Sequence, residues 1–306
     1  MSVLRRCPVR GSTTLLAPER LRSPAPPAPL RPGPCPLCPE GPAARGRVLG
    51  RRGRAFACAV GRPALRIEAS SEGYSPGLVA EREGLGAHEV VVADPRHGLA
   101  PNELDPAGWR DALLLARERM RDLRQDIRLR SLTWFAPWRV EAGGAVDHLH
   151  LQILALPDPQ DTPAMAPHLC PLCAMLASED GRLVLAGEAA TSLCPSAPQA
   201  DFEVWVLPRA HQGAFEGASD PAIAAVAEQL PRVLGALDRA LQAPALGVAL
   251  RASPPGREGH WRIEISPKLA PQSAISWATG LHVCTVSPED VAAHLRELLA
   301  DGAAPR

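Results

Sequence analysis

The sequence predicts an α+β fold made of two tandem halves, each a mainly antiparallel sheet with packed helices. Three repeated landmarks predict it. An identical Cys-Pro-Leu-Cys motif stands at 35–38 and again at 170–173. Each half then carries an apolar run that closes on a basic residue and a histidine: His88-Glu-Val-Val-Val-Ala-Asp-Pro-Arg-His97 in one, Phe202-Glu-Val-Trp-Val-Leu-Pro-Arg-Ala-His211 in the other. Each ends in a His-headed strand, His148-Leu-His-Leu-Gln-Ile153 against His260-Trp-Arg-Ile-Glu-Ile265. The separation from His97 to His148 nearly equals that from His211 to His260. Self-similarity in this order is the signature of duplication, with halves expected at 1–157 and 168–306.

The elements follow from hydrophobic period. Segments 88–94, 130–136, 148–156, 202–208, 246–252 and 260–266 alternate or run apolar and are expected as strands. Segment 109–124 places Leu113, Ala116, Met120 and Leu123 at steps of three and four, the apolar stripe of an amphipathic helix. Segment 222–241 is a second helix in the matching place. Segment 288–299 is a third, with Ser287 as its N-cap and Glu289 and Asp290 in its first turn. More strands than helices, at hairpin-like spacing, imply antiparallel sheets with helices on one face. The Pro-rich stretch 23–36 cannot join a ladder and is expected as an extended surface segment. Segment 157–167 is the expected linker between halves.

Composition narrows the function. Formal net charge is zero, so no basic field argues for nucleic acid. Lys268 is the sole lysine, and the many Arg, Ala and Pro read as a compositional bias. The apolar run near Met1 is too short for a secretory signal, and no stretch reaches the length of a membrane span. A cytoplasmic protein is expected, in which thiols stay reduced. Paired C-x-x-C motifs then read as metal ligands before disulfides.

Thiolate and imidazole suit Zn²⁺, and a structural site wants four ligands. Each half offers Cys₂His₂: Cys35, Cys38, His97 and His148, then Cys170, Cys173, His211 and His260. The competing reading, leftover knuckles with core histidines, fits a lone pair better than a repeated set. On the strand headed by His148, alternation puts His148, His150 and Gln152 on one face and Leu149, Leu151 and Ile153 on the other. With His148 committed to metal, His150 is the free imidazole beside it. A neutral imidazole can attack phosphorus and split one transfer into two easier ones. Gln152 can donate to a phosphate oxygen. Gly143 and Gly144 allow close backbone approach to a phosphate. In the second half Arg262 stands where His150 stands in the first, so one active site per chain is expected. The alternative for His150 is a buried, satisfied core histidine.

These motifs resemble those of the galactose-1-phosphate uridylyltransferase family of the histidine-triad superfamily, and of its ADP-glucose phosphorylase-like relatives. The likeness runs through Ala17-Pro-Glu-Arg20, Cys35-Pro-Leu-Cys38, Asp94-Pro-Arg-His97, the stretch 143–152, Glu203-Val-Trp-Val-Leu-Pro208, and 260–267 on to Thr279-Gly280. It implies histidine-triad-like halves and ping-pong transfer of a uridylyl or adenylyl group, with His150 as nucleophile and Gln152 in support. It implies zinc in both Cys₂His₂ sets, Arg20 as a nucleotide-sugar phosphate contact, and a homodimer. The implied ligands are a nucleotide sugar and a sugar 1-phosphate, with UMP moving from UDP-glucose to galactose 1-phosphate. Adenylyl transfer of the ADP-glucose phosphorylase kind, transfer to water, or a non-catalytic zinc-binding homologue are the alternatives. Leu149 replaces the family's proline between the two histidines, Ala145 stands where it often has serine, and neither 60–65 nor the neighbourhood of Pro137 shows its asparagines.

Overall fold

The computed structural model describes residues 2–6, 13–16, 35–70, 72, 73, 75, 80–157, 170–177, 181–253, 259–271 and 273–301. Arg20, most of the Pro-rich stretch and almost all of the expected linker lie outside these residues. Among the described residues, thirteen strands form two sheets, accompanied by six α-helices.

The small sheet, β2-β1-β5, is wholly antiparallel and pairs β1 (Val3–Arg6) with β2 (Thr13–Leu16) and with β5 (Ala80–Glu83). The large sheet carries the three landmarks. Its first-half strands are β3 (Val48–Arg52), β4 (Ala55–Ala59), β6 (Ala87–Val92), β7 (Ser131–Trp138) and β8 (His150–Leu156). Its second-half strands are β9 (Leu183–Leu185), β10 (Ala190–Leu193), β11 (Val204–Pro208), β12 (Leu246–Arg251) and β13 (Arg262–Pro267). The order across the sheet is β3-β4-β6-β8-β7-β12-β13-β11-β10-β9, with antiparallel neighbours throughout. Read from either edge, each half repeats the other: β8 matches β13, β6 matches β11, and the equivalent strands β7 and β12 pair at the centre. The expected sheet of each half is therefore one wing of a continuous ten-stranded sheet.

The three long helices lie on one face, as alternation requires. The strands point Trp134, Ala136, Leu149, Leu151, Ile153, Val204, Val206, Val248, Ile263 and Ile265 into a single core, and α2 (Pro106–Leu123), α4 (Asp220–Leu241) and α6 (Pro288–Asp301) cover it. Burial of each large side chain contributes roughly 1.5–3 kcal/mol, which fixes the face of every strand. Asp105 caps α2 by accepting from Gly108 N at 2.7 Å, with Pro106 following it. Ser219 caps α4 by accepting from Ala222 N at 3.3 Å. Ser287 caps α6, as expected, by accepting from Asp290 N at 3.1 Å. Arg117 and Arg121 of α2 donate to Ala218 O and Glu216 O at the turn before α4. Phe215 in that turn packs edge-on against Trp134 of the first half and Trp261 of the second.

Two smaller apolar clusters sit on the opposite face. Leu37, from the first Cys-Pro-Leu-Cys turn, packs on Phe56, Cys58, Val90 and Val92. Leu172, from the second turn and the helix α3 (Pro171–Ala177), packs on Leu193 and Leu207. Each cysteine turn thus closes one wing of the open face. Several boundaries differ from the periodic reading: β6 ends at Val92 rather than 94, β11 begins at Val204 rather than 202, and α2 begins at Pro106 rather than 109. The strands expected from His148 and His260 begin two residues later, because both histidines leave the ladder to bond a neighbouring strand end through their rings.

Candidate active site and metal centres

The first cysteine turn is tight: Cys38 N donates to Cys35 O at 3.3 Å and Gly41 N to Cys38 O at 2.8 Å. It meets His97, in the turn after β6, and His148, just before β8. One ligand atom from each of Cys35, Cys38, His97 and His148 lies within 4.8 Å of all the others. The same holds for Cys170, Cys173, His211 and His260. Zinc–sulfur bonds of about 2.3 Å and zinc–nitrogen bonds of about 2.0–2.1 Å at a tetrahedral angle would set sulfur and nitrogen about 3.6 Å apart. In the first cluster His148 Nδ1 is 3.7 Å from both sulfurs and His97 Nδ1 is 3.6 Å from Cys38 Sγ. In the second the separations are 3.9, 3.3 and 3.6 Å.

The ring tautomers agree with that spacing. His148 Nε2 lies 2.7 Å from Asp94 O, and His260 Nε2 lies 2.7 Å from Pro208 O. A carbonyl accepts only, so both Nε2 atoms carry hydrogen and both Nδ1 lone pairs face sulfur. A backbone partner on the far ring nitrogen is what orients metal-binding histidines. Burial holds both imidazoles below their ordinary pKa, which favours the neutral form that binds metal. Burial and the neighbouring Cys170 push the Cys173 thiol up to about 11, so adjacent thiolates at neutral pH require a cation. The donor set, spacing and tautomers fit a tetrahedral metal ion in each cluster. The Asp94 carboxyl braces the turn before His97: burial pushes it up, but Arg96 and Arg54 outweigh this and hold it below the usual range.

His150 opens β8 and turns to the open face with Gln152, while Leu149, Leu151 and Ile153 face the helices. His150 is 5% exposed. Burial pushes its imidazole below the ordinary value, so the ring is neutral near pH 7. Its Nδ1–H donates to His148 O at 2.6 Å. The Nε2 lone pair is left facing Gln152 Nε2 at 3.4 Å. His150 is thus tied on one side to the backbone of His148, a residue of the first Cys₂His₂ cluster, and presents an unprotonated nitrogen on the other. Gln152 Oε1 accepts from His88 Nε2 at 3.0 Å. His88 is a site residue that strand periodicity does not reveal, because β6 is buried on both faces and His88 reaches Gln152 only through the strand register.

Gly143 adopts φ 86° in the turn before β8, a conformation open to glycine. A Cβ on Gly144 would stand 2.8 Å from Arg139 O. The turn itself therefore requires both glycines. One strand away, Phe135 pairs with Gln152 and lines a cavity of about 190 Å³ that extends to Arg251, Glu264, Ser266 and Lys268.

The second half keeps the cluster and loses the imidazole. Arg262 and Glu264 follow His260 as His150 and Gln152 follow His148. Arg262 stacks on Trp205 at 4.3 Å and donates to Glu264, which also accepts from Arg251 at 2.9 Å. Side chains of the protein itself fill this equivalent position.

No family model matches the chain. In sequence it is 26% identical over 256 residues to the ADP-glucose phosphorylase of Arabidopsis thaliana, covering 77% of this chain and 72% of that protein. In fold it is similar to a uridylyltransferase, with a TM-score of 0.84, 22% identity, and 99% and 100% of the two chains covered. It is also similar to an Arabidopsis thaliana ADP-glucose phosphorylase solved with bound ADP-glucose, with a TM-score of 0.75, 24% identity, and 97% and 99% covered.

Proposed function

We propose that this relative of the galactose-1-phosphate uridylyltransferases and ADP-glucose phosphorylases is a nucleotidyltransferase that carries a nucleoside monophosphate on His150. The observation that carries the reading is the tautomer of His150: neutral, protonated on Nδ1, with the Nε2 lone pair turned to the open face. The Gln152 amide meets that lone pair at 3.4 Å, a long contact that an incoming phosphorus can displace.

The chemistry proceeds in two displacements. His150 Nε2 attacks the α-phosphorus of a nucleotide sugar; the phosphorus–nitrogen bond forms and the bond to the sugar 1-phosphate breaks. The His148 carbonyl, holding Nδ1–H at 2.6 Å, stabilises the positive charge that the ring gains. The Gln152 amide donates to a non-bridging oxygen as charge shifts. A phosphate oxygen of the acceptor then attacks the same phosphorus, and Nε2 leaves with its lone pair. Gly143 and Gly144 let the backbone approach the phosphates, and Arg20 is assigned to the same group. Zinc is the metal assigned to both clusters; its contribution is structural, tying 35–38, the β6 turn and the start of β8 together so that His150 is fixed.

UDP-glucose with galactose 1-phosphate is the donor–acceptor pair of the first reading. A second, ADP-glucose with inorganic phosphate, is favoured by the sequence likeness to ADP-glucose phosphorylase. The halves are assigned to 1–157 and 168–306, with one nucleotide per chain because Arg262 and Trp205 fill the second position. A reducing cytoplasm suits the paired thiols. A homodimer is supported by the apolar exposure around α5 (Ala274–Thr279): Trp277 is 77% and Ile275 56% exposed. Release of glucose 1-phosphate from each donor–acceptor pair tests the reading and names the base. Release by the His150→Ala variant at the wild-type rate rejects it.

A further inference from the structure

We infer that His88 is a positioning residue that holds the Gln152 amide in the one orientation able to serve a phosphate beside His150; this rests on the nucleotidyl-transfer reading above. In register His88 stands opposite Leu154 and Gln152 opposite Val90, so the two are diagonal neighbours on the open face. Diagonal partners on a sheet lie within reach of long side chains.

The direction of every bond in the chain of contacts is fixed from its ends. Ala64 N–H donates to His88 Nδ1 at 3.2 Å. That nitrogen therefore has the lone pair, and His88 Nε2 carries the hydrogen. Nε2–H donates to Gln152 Oε1 at 3.0 Å. With its oxygen taken, Gln152 turns its NH₂ towards His150 Nε2 at 3.4 Å. His150 meets it with a lone pair, because its Nδ1–H is committed to His148 O. A backbone amide thus sets, through two side chains, which end of Gln152 faces the reacting atom. Without the His88 donor the amide is free to rotate by half a turn, which points Oε1 at the phosphate oxygens and replaces attraction by repulsion. A core histidine that merely filled space would need no relay, whereas His88 accepts from Ala64 N and donates to Gln152 Oε1.

The test compares His88→Phe, which keeps the ring and removes the donor, with His88→Gln, which restores an N–H near the position of Nε2. Single-turnover mass gain is followed with UDP-glucose and with ADP-glucose, and thermal stability and metal content are checked in each protein. Loss of one charge-assisted hydrogen bond in the transition state predicts nucleotidylation slower by about tenfold to a hundredfold in His88→Phe. The half-saturating donor concentration is expected to stay unchanged and His88→Gln to recover most of the rate. Wild-type rates in His88→Phe, or equal losses in both variants, overturn the inference. If the wild-type chain takes no nucleotide, the parent reading falls instead. The side-chain amide signals of Gln152 in the resting protein then decide this one: signals that shift in His88→Phe and return in His88→Gln sustain it, and unshifted signals overturn it.

Discussion

Replacing Cys35 by Ser and, separately, Cys170 by Ser perturbs two equivalent clusters that serve unequal ends. Structural zinc binds with an apparent free energy of roughly 10–16 kcal/mol in small peptides, so an equal share per ligand is about 2.5–4 kcal/mol. Unfolding entropy near 2.1 cal/mol/K per residue, taken over 306 residues, gives about 0.6 kcal/mol/K. Each kcal/mol then moves Tm by about 1.6 °C, and either substitution is expected to lower Tm by about 4–6 °C. Activity should separate the two. Cys35 shares its cluster with His148, whose carbonyl holds His150 at 2.6 Å, so Cys35→Ser should also slow nucleotidylation. Cys170 shares its cluster with His260, which leads only to Arg262 and Glu264, so Cys170→Ser should leave the rate per folded chain intact. Scanning calorimetry, elemental metal analysis and single-turnover mass spectrometry read the three quantities. Unchanged Tm and metal content in Cys35→Ser would refute the cluster, and equal activity loss in both variants would refute the division of roles.

Phe215→Ala removes a buried ring that touches Trp134 and Trp261 across the two halves; a loss of about 3–5 kcal/mol is expected, measured by denaturant unfolding, with metal content unaltered. Gly143→Ala forces a side chain into φ 86° and should cost about 1–2 kcal/mol, with a slower transfer rate; an unaffected melting curve contradicts the strained turn. Trp277→Asp should convert a dimer to a monomer in light scattering, and a wild-type chain that is already monomeric dismisses that face as an interface. Equilibrium dialysis should find one nucleotide per chain, and two would mean that the second wing is open despite Arg262 and Trp205.

The six strands and three helices read from the sequence are those whose own pattern decides their structure. β8 and β13 alternate cleanly because one face meets the helices and the other the open side. α2, α4 and α6 announce themselves by caps as well as by period. β4 reads Ala-Phe-Ala-Cys-Ala, with alanine of weak strand preference at three of five positions and all but Ala59 buried, so no alternation marks it and its neighbours make it a strand. β9 has three residues and α1 (Pro42–Arg45) four, too few for any period. The joining of both wings into one sheet depends on β7 pairing with β12, a contact between residues more than a hundred positions apart. The two Cys₂His₂ sets were legible because duplication printed them twice, and the polar strip of His150 and Gln152 because strand alternation is local. His88 was hidden for the opposite reason: its partnership with Gln152 is set by strand register.

The measurement that tests the central claim most directly is the intact mass of the protein after incubation with UDP-glucose and, separately, with ADP-glucose, followed by peptide mapping. A gain of one nucleoside monophosphate on the peptide containing His150, absent in His150→Ala with its metal retained, is the expected result. A folded, metal-loaded wild-type chain that gains no mass with either donor, or gains it on another peptide, would contradict the account.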